Sequence, residues 1–196
     1  MSEDDAFARL VALACHDLRT PLATVHGFAT TLARSGDLQP PADRYVEMID
    51  AASAQLAELV DELSLAARIE SGRYEPTLRE AQTLELAQAA AARLGEERVQ
   101  VTGAGAALET DAEAVERGLA ALFQSALRHG GLERVDVEVE GVEIRLSPVT
   151  AASAPVVLGD DLRDLGAAVA VRLVDHLGGK IFVEGQTLTI RLGSIA

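Results

Sequence analysis

The stretch His16-Asp17-Leu18-Arg19-Thr20-Pro21-Leu22 sets an imidazole, a carboxylate and a hydroxyl within little more than one helical turn. At about 100° per residue His16 falls roughly 200° from Leu18, away from the apolar side, and Thr20 follows one turn along on the exposed side. An exposed imidazole beside a carboxylate is a candidate nucleophile. Asp17 can hold the ring tautomer and accept its proton, which raises the nucleophilicity of the free nitrogen. Pro21 removes the hydrogen bond to the Asp17 carbonyl and predicts a bend beside the site. Taken alone, the same residues also fit a solvated helix-face histidine next to a tolerated kink.

These residues need an element to carry them. From Phe7 to Ala33 apolar side chains recur at three- and four-residue steps (Val11, Cys15, Leu18, Leu22, Val25, Ala29, Leu32), which predicts one long helix. Gly, Pro and Asp concentrate in 35–43 and predict a hairpin turn, with Pro tolerated in the first turn of the next helix. A second helix is expected over Ala42–Glu70, with Tyr45, Ile49, Ala52, Leu56, Leu59, Leu63 and Ala66 in a 4-3 rhythm, ended by 71–76. Two such stripes are too exposed in a lone hairpin. Either a second copy covers them in a four-helix bundle, as a homodimer, or the C-terminal half of the chain does.

Beyond Pro76 the periodicity becomes mixed. Helices are expected at 80–94, 111–129 (capped by Thr110 and Asp111) and 161–177, and strands at 98–103, 134–141, 142–148, 180–185 and 187–193. Residues 149–160 read as a loop and Gly103-Ala104-Gly105 as a turn. The fold class is therefore α+β, with a helical unit at 1–76 and a sheet-containing unit at 77–196.

Composition narrows the function. The net charge of −14 argues against nucleic acid, whose binding needs clustered Lys and Arg. The lone Cys15 permits no intramolecular disulfide or thiolate cluster, and no apolar run nears the roughly 18 residues of a membrane span, so a cytoplasmic chain without a membrane partner is expected. His26, His129 and His176 show no metal-ligand spacing, and structural or solvated roles are expected for them.

HDLRTPL resembles the H-box of histidine kinases, and the resemblance continues through LATVHGFATTLARS and the second helix as far as SGRYEP. It implies a dimeric four-helix bundle with His16 as phosphoacceptor, Asp17 assisting phosphoryl attack and Thr20 positioning water during dephosphorylation of a partner. The second half resembles the family's ATP-binding, Bergerat-type (HATPase-like) α/β sandwich in a degenerate form. Where that family carries asparagines for magnesium and phosphate, RGLAALFQSALRHGG has Ala121 and Ser125. Where an Asp-x-Gly-x-Gly motif would read adenine, the sequence is Pro148-Val149-Thr150-Ala151-Ala152, and the glycine turn before the last helix is Asp164-Leu165-Gly166-Ala167. A carboxylate there repels triphosphate at a helix N-terminus. The lid segment from Thr150 to Arg163 is also short. Phosphoryl-transfer catalysis consists almost wholly of positioning and charge neutralisation, so these losses together predict no ATP-dependent autokinase.

The expected function is a histidine phosphotransferase of a two-component phosphorelay. His16 would shuttle phosphoryl between the aspartates of response-regulator receiver domains, with no cofactor bound by this chain and magnesium supplied by the receiver. The rival expectations are a divergent sensor kinase core that still uses ATP and a non-catalytic pseudokinase scaffold.

Overall fold

The computed structural model describes residues 3–36 and 38–193. The chain divides into two compact units, Met1–Tyr74 and Glu75–Ala196.

The first unit is a helical hairpin of α1 (Glu3–Ser35) and α2 (Ala42–Glu70). Helix α1 runs unbroken through Pro21. Phe7, the expected start of its apolar stripe, lies outside the residues whose side chains are described. The remainder of that stripe divides between two surroundings. Cys15 and Ala29 are buried, whereas Leu18, Val25 and Leu32, seven residues apart, stay exposed. In α2 the split is sharper: Ile49, Leu56 and Leu63 are exposed, and the buried positions are Ser53 and Ala67.

The face that α2 turns inward is thus small and polar (Val46, Asp50, Ser53, Ala57, Val60, Ser64, Ala67). Small side chains let the two backbones approach, and the polar ones are satisfied across the hairpin. Thr30 donates to Asp50 at 2.6 Å, and His26 Nδ1 lies 3.1 Å from both Ser53 Oγ and Asp50 Oδ1. Paired polar groups cost little at such an interface, because each finds a partner in place of water. The larger apolar side chains remain on the outside.

The second unit is a five-stranded sheet covered by helices on one face, with a small two-stranded sheet beside it. The main sheet has the order β2-β4-β5-β7-β6, from β2 (Val99–Gly105), β4 (Val135–Gly141), β5 (Glu143–Ser147), β6 (Lys180–Glu184) and β7 (Thr187–Arg191). Only the β2–β4 pair is parallel. Val135, Val137, Val139, Ile144, Leu146, Leu188 and Ile190 alternate onto one face and are buried there. Against them pack α3 (Thr83–Ala92), α4 (Ala112–Gly130) and α6 (Leu165–His176), with Phe123, Leu119, Leu122, Leu127 and Leu173 as the largest buried side chains from the helices.

Four expectations are corrected here. Strands β1 (Arg79–Gln82) and β3 (Ala107–Thr110) pair antiparallel, so the expected helix at 80–94 begins only at Thr83. Four-residue strands rich in helix formers carry no readable period, and pairing alone makes them strands. Gly103-Ala104-Gly105 is not a turn but the end of β2: Gly103 has φ +108°, and a Cβ there would meet the Val139 carbonyl oxygen at 2.1 Å. Residues 149–160 are not all loop, since α5 spans Ala154–Val157. Helix α6 starts at Leu165 rather than 161, because Asp164 caps it.

The division of faces in the hairpin gives a direct test. Ala29→Asp places a charge at a site 4% exposed and is expected to cost several kcal/mol and most of the hairpin's helical circular dichroism. Leu56→Asp, at a site 52% exposed, is expected to leave the hairpin helical.

Candidate functional site

His16 is exposed on α1, about one and a half turns before Pro21. It opens onto a shallow groove lined by His16, Arg19, Thr20, Ala23 and Thr24. The i, i+3 and i, i+4 spacings explain this grouping, since Arg19 and Thr20 lie about 60° and 40° from His16 around the helix. Thr24 Oγ1 donates to the Thr20 carbonyl at 3.1 Å, so the two threonines that line the groove are tied to each other along the helix. Arg19 reaches across to α2, where its Nη2 and Nε donate to Asp61 Oδ1 at 2.7 and 3.2 Å.

Asp17 is exposed and adjacent to His16 in sequence, but it does not line the groove. It approaches the ring from about 100° around the helix. The structure thus brings His16 and Thr20 together and sets Asp17 at the flank. Cys15, the residue before His16, is 1% exposed, and burial pushes its thiol up, so it remains a protonated packing group.

The second unit contains the other informative cluster. Asp164 is 7% exposed and caps α6, its Oδ1 accepting from the Ala167 N–H at 3.1 Å. Its Oδ2 accepts from Arg128 Nη2 at 2.5 Å and lies 3.1 Å from His129 Nε2, both from the last turn of α4. Burial alone would raise the Asp164 pKa. The Ala167 N–H, the Arg128 guanidinium and the His129 ring outweigh it and hold the carboxyl below the usual aspartate range.

The helix N-terminus and the basic side chains beside it form the kind of surface that receives a phosphate. Here a carboxylate of the same chain already accepts from the Ala167 N–H and from Arg128 Nη2 and lies beside the His129 ring. Sequence reading identified Asp164 as a repulsive residue but missed Arg128 and His129 as its partners; the signal available was their place, as the basic pair ending α4, in the same unit as an uncompensated carboxylate.

The residues at the positions of the magnesium and phosphate ligands do not fit a metal–nucleotide either. Ala121 offers a methyl group. Ser125 is 0% exposed, and its Oγ is the one buried side-chain polar atom without a partner among the described residues, so it presents no oxygen to solvent. Neither side chain supplies a metal ligand.

Comparisons with known proteins agree with this architecture. Residues 8–72 match the family model of the His Kinase A (phospho-acceptor) domain. The chain is 31% identical over 160 residues to an uncharacterized sensor-like histidine kinase of Rhizobium meliloti, covering 74% of this chain and 30% of that protein. It is also 31% identical over 138 residues to the sensor protein KdpD of Mycobacterium tuberculosis, covering 64% of this chain and 16% of that one. This chain carries a histidine kinase core. Its helical hairpin followed by an HATPase-like sheet is shared with solved kinases. Full-length ShkA, solved with AMPPNP, superposes with a TM-score of 0.66 at 21% identity over 96% of this chain and 47% of that one. The Acinetobacter baumannii histidine kinase AdeS gives 0.57 at 19% identity over 92% and 98%. The chain thus spans under a third of the curated kinases it matches, and the core is of the two-component type. Among the described residues no helix is long and apolar enough to cross a membrane.

The Asp164 cluster of this kinase core makes a pH-dependent contribution to stability. A depressed carboxylate pKa gives stabilisation that is complete above the ordinary aspartate value and is lost as pH falls through the depressed one. Asp164→Asn keeps a capping oxygen and removes the charge, so it is expected to cost about 1–2 kcal/mol in urea unfolding at neutral pH. The gap from wild type is expected to close under acid conditions below the ordinary aspartate pKa.

Proposed function

We propose that this chain is a histidine phosphotransferase of a two-component phosphorelay, carrying phosphoryl on His16 without using ATP. The observation that carries the reading is the contrast between its units: His16 stands exposed in an open groove, while the donors that would meet nucleotide phosphates are held by Asp164.

In the forward step a ring nitrogen of His16 attacks the phosphorus of a receiver's aspartyl phosphate. The P–N bond forms, the P–O bond to the receiver's carboxyl breaks, and the electron pair returns to that carboxylate. The phosphorylated ring then carries a positive charge, which it loses when its N–H proton passes to Asp17 at the flank of the site. Thr20, in the groove, is placed to orient a water when the phosphoryl is hydrolysed instead. The reverse step passes the phosphoryl to a second receiver. Magnesium belongs to the receiver in this reading, and the chain itself supplies no cofactor.

The open stripes of the hairpin support a homodimer. Leu18, Val25 and Leu32 on α1 and Ile49, Leu56 and Leu63 on α2 each recur every seven residues and are exposed in one chain. Covering them with the same stripes of a second copy makes a four-helix bundle. The face carrying His16 lies away from the stripe, which leaves the acceptor open to a receiver.

The test is transfer from a phosphorylated receiver carrying labelled phosphate, with no nucleotide present. Wild type is expected to gain an acid-labile label, and His16→Ala is expected to gain none. Absence of label on wild type with every receiver encoded beside its gene would favour a scaffold. Labelling of His16 from ATP with magnesium would favour a divergent kinase.

A further inference from the structure

Arg19 brings the one guanidinium among the groove-lining residues, and it is already engaged. Both of its contacting nitrogens, Nη2 at 2.7 Å and Nε at 3.2 Å, point to one oxygen of Asp61 on α2. The pair is half-exposed, with side-chain exposures of 49% and 50%. Exposed ion pairs of this kind contribute little, because water screens them and two flexible side chains must be ordered. The Arg19–Asp61 bond is therefore easily exchanged for a stronger one.

A phosphoryl group on His16 is a stronger partner. It brings close to two negative charges and three acceptor oxygens, and a guanidinium matches that geometry with parallel N–H donors. Arg19 is three residues from His16, lines the same groove and lies about 60° away around the helix, so its guanidinium shares the groove with the loaded ring. Asp61 is the competing anion.

We propose that Arg19 is a phosphoryl-responsive latch between α1 and α2. With His16 bare, Arg19 holds Asp61 and ties the helices together beside the site. With His16 phosphorylated, Arg19 moves to the phosphoryl oxygens and leaves Asp61, so that the charge on His16 is stabilised and the cross-helix tie is released together. Arg19 is then a positioning residue for the phosphoryl group, and Asp61 sets how readily the histidine holds it. This inference rests on His16 being the carrier.

The test is the equilibrium partition of a labelled phosphoryl between one receiver and this chain. It is measured at concentrations where the free proteins dominate, so that docking affinity cancels. Asp61→Asn frees Arg19 and is expected to raise the share on His16 about two- to fivefold, the range a surface ion pair commands. Arg19→Gln is expected to lower the share by a similar factor, and Arg19→Lys to restore part of it. Asp61→Asn in the Arg19→Gln background is expected to change nothing. An unchanged partition in Asp61→Asn, or the same change with and without Arg19, overturns the latch. Complete absence of label on wild type, matched by His16→Ala, overturns instead the carrier role on which the latch rests. A second readout is the ¹⁵N signal of Arg19 Nε, which is expected to move on loading in wild type; a signal that stays fixed on loading counts against the latch.

Discussion

In the second unit one buried carboxylate, Asp164, ties two helices together. Asp164 caps α6 through the Ala167 N–H and binds Arg128 and His129 at the end of α4, so one side chain fixes how the two principal helices meet over the sheet. The same bonds decide the chemistry of that corner. A helix N-terminus with an arginine and a histidine beside it attracts phosphate unless an anion is already present. Asp164 sets its own negative charge against Arg128 there and takes up the Ala167 N–H. The capping of α6 and the charge balance of that corner have the same cause.

The hairpin divides its resources in a comparable way. Its inner face uses small and polar groups, with Asp50 and Ser53 matched by Thr30 and His26, and this brings α1 and α2 close without using the large apolar residues. Those residues form an outer stripe. A third strip of α1, holding His16, Arg19, Thr20, Ala23 and Thr24, is left to solvent. One helix thus presents one face to α2, an outer apolar face, and a solvent-facing strip that holds His16. Pro21 is accommodated within the continuous helix beside this strip.

Much of this was legible in the sequence, for physical reasons that differ by element. Helix α2 was expected at Ala42–Glu70 and occupies those residues, because its turn residues and long apolar rhythm are strong local signals. The β4–β5 hairpin was legible from alternation about Gly141. The strands β1 and β3 were not, because their identity is conferred by pairing with each other rather than by their own residues. Gly103 was misread for a related cause: its positive φ reads locally as a turn, and only the nearness of the Val139 carbonyl shows why a strand needs glycine there. At the candidate site, His16 and Thr20 could be placed on one face by helical arithmetic. Arg19's engagement with Asp61, 42 residues away, and the convergence of Arg128 and His129 on Asp164 could not, because such contacts depend on tertiary structure.

The proposed phosphotransferase role requires an open His16 and a nucleotide site closed by Asp164. Calorimetric titration of magnesium–ATP into the full chain tests it most directly. The account predicts no saturable heat up to millimolar nucleotide; saturable binding in the micromolar range would contradict it.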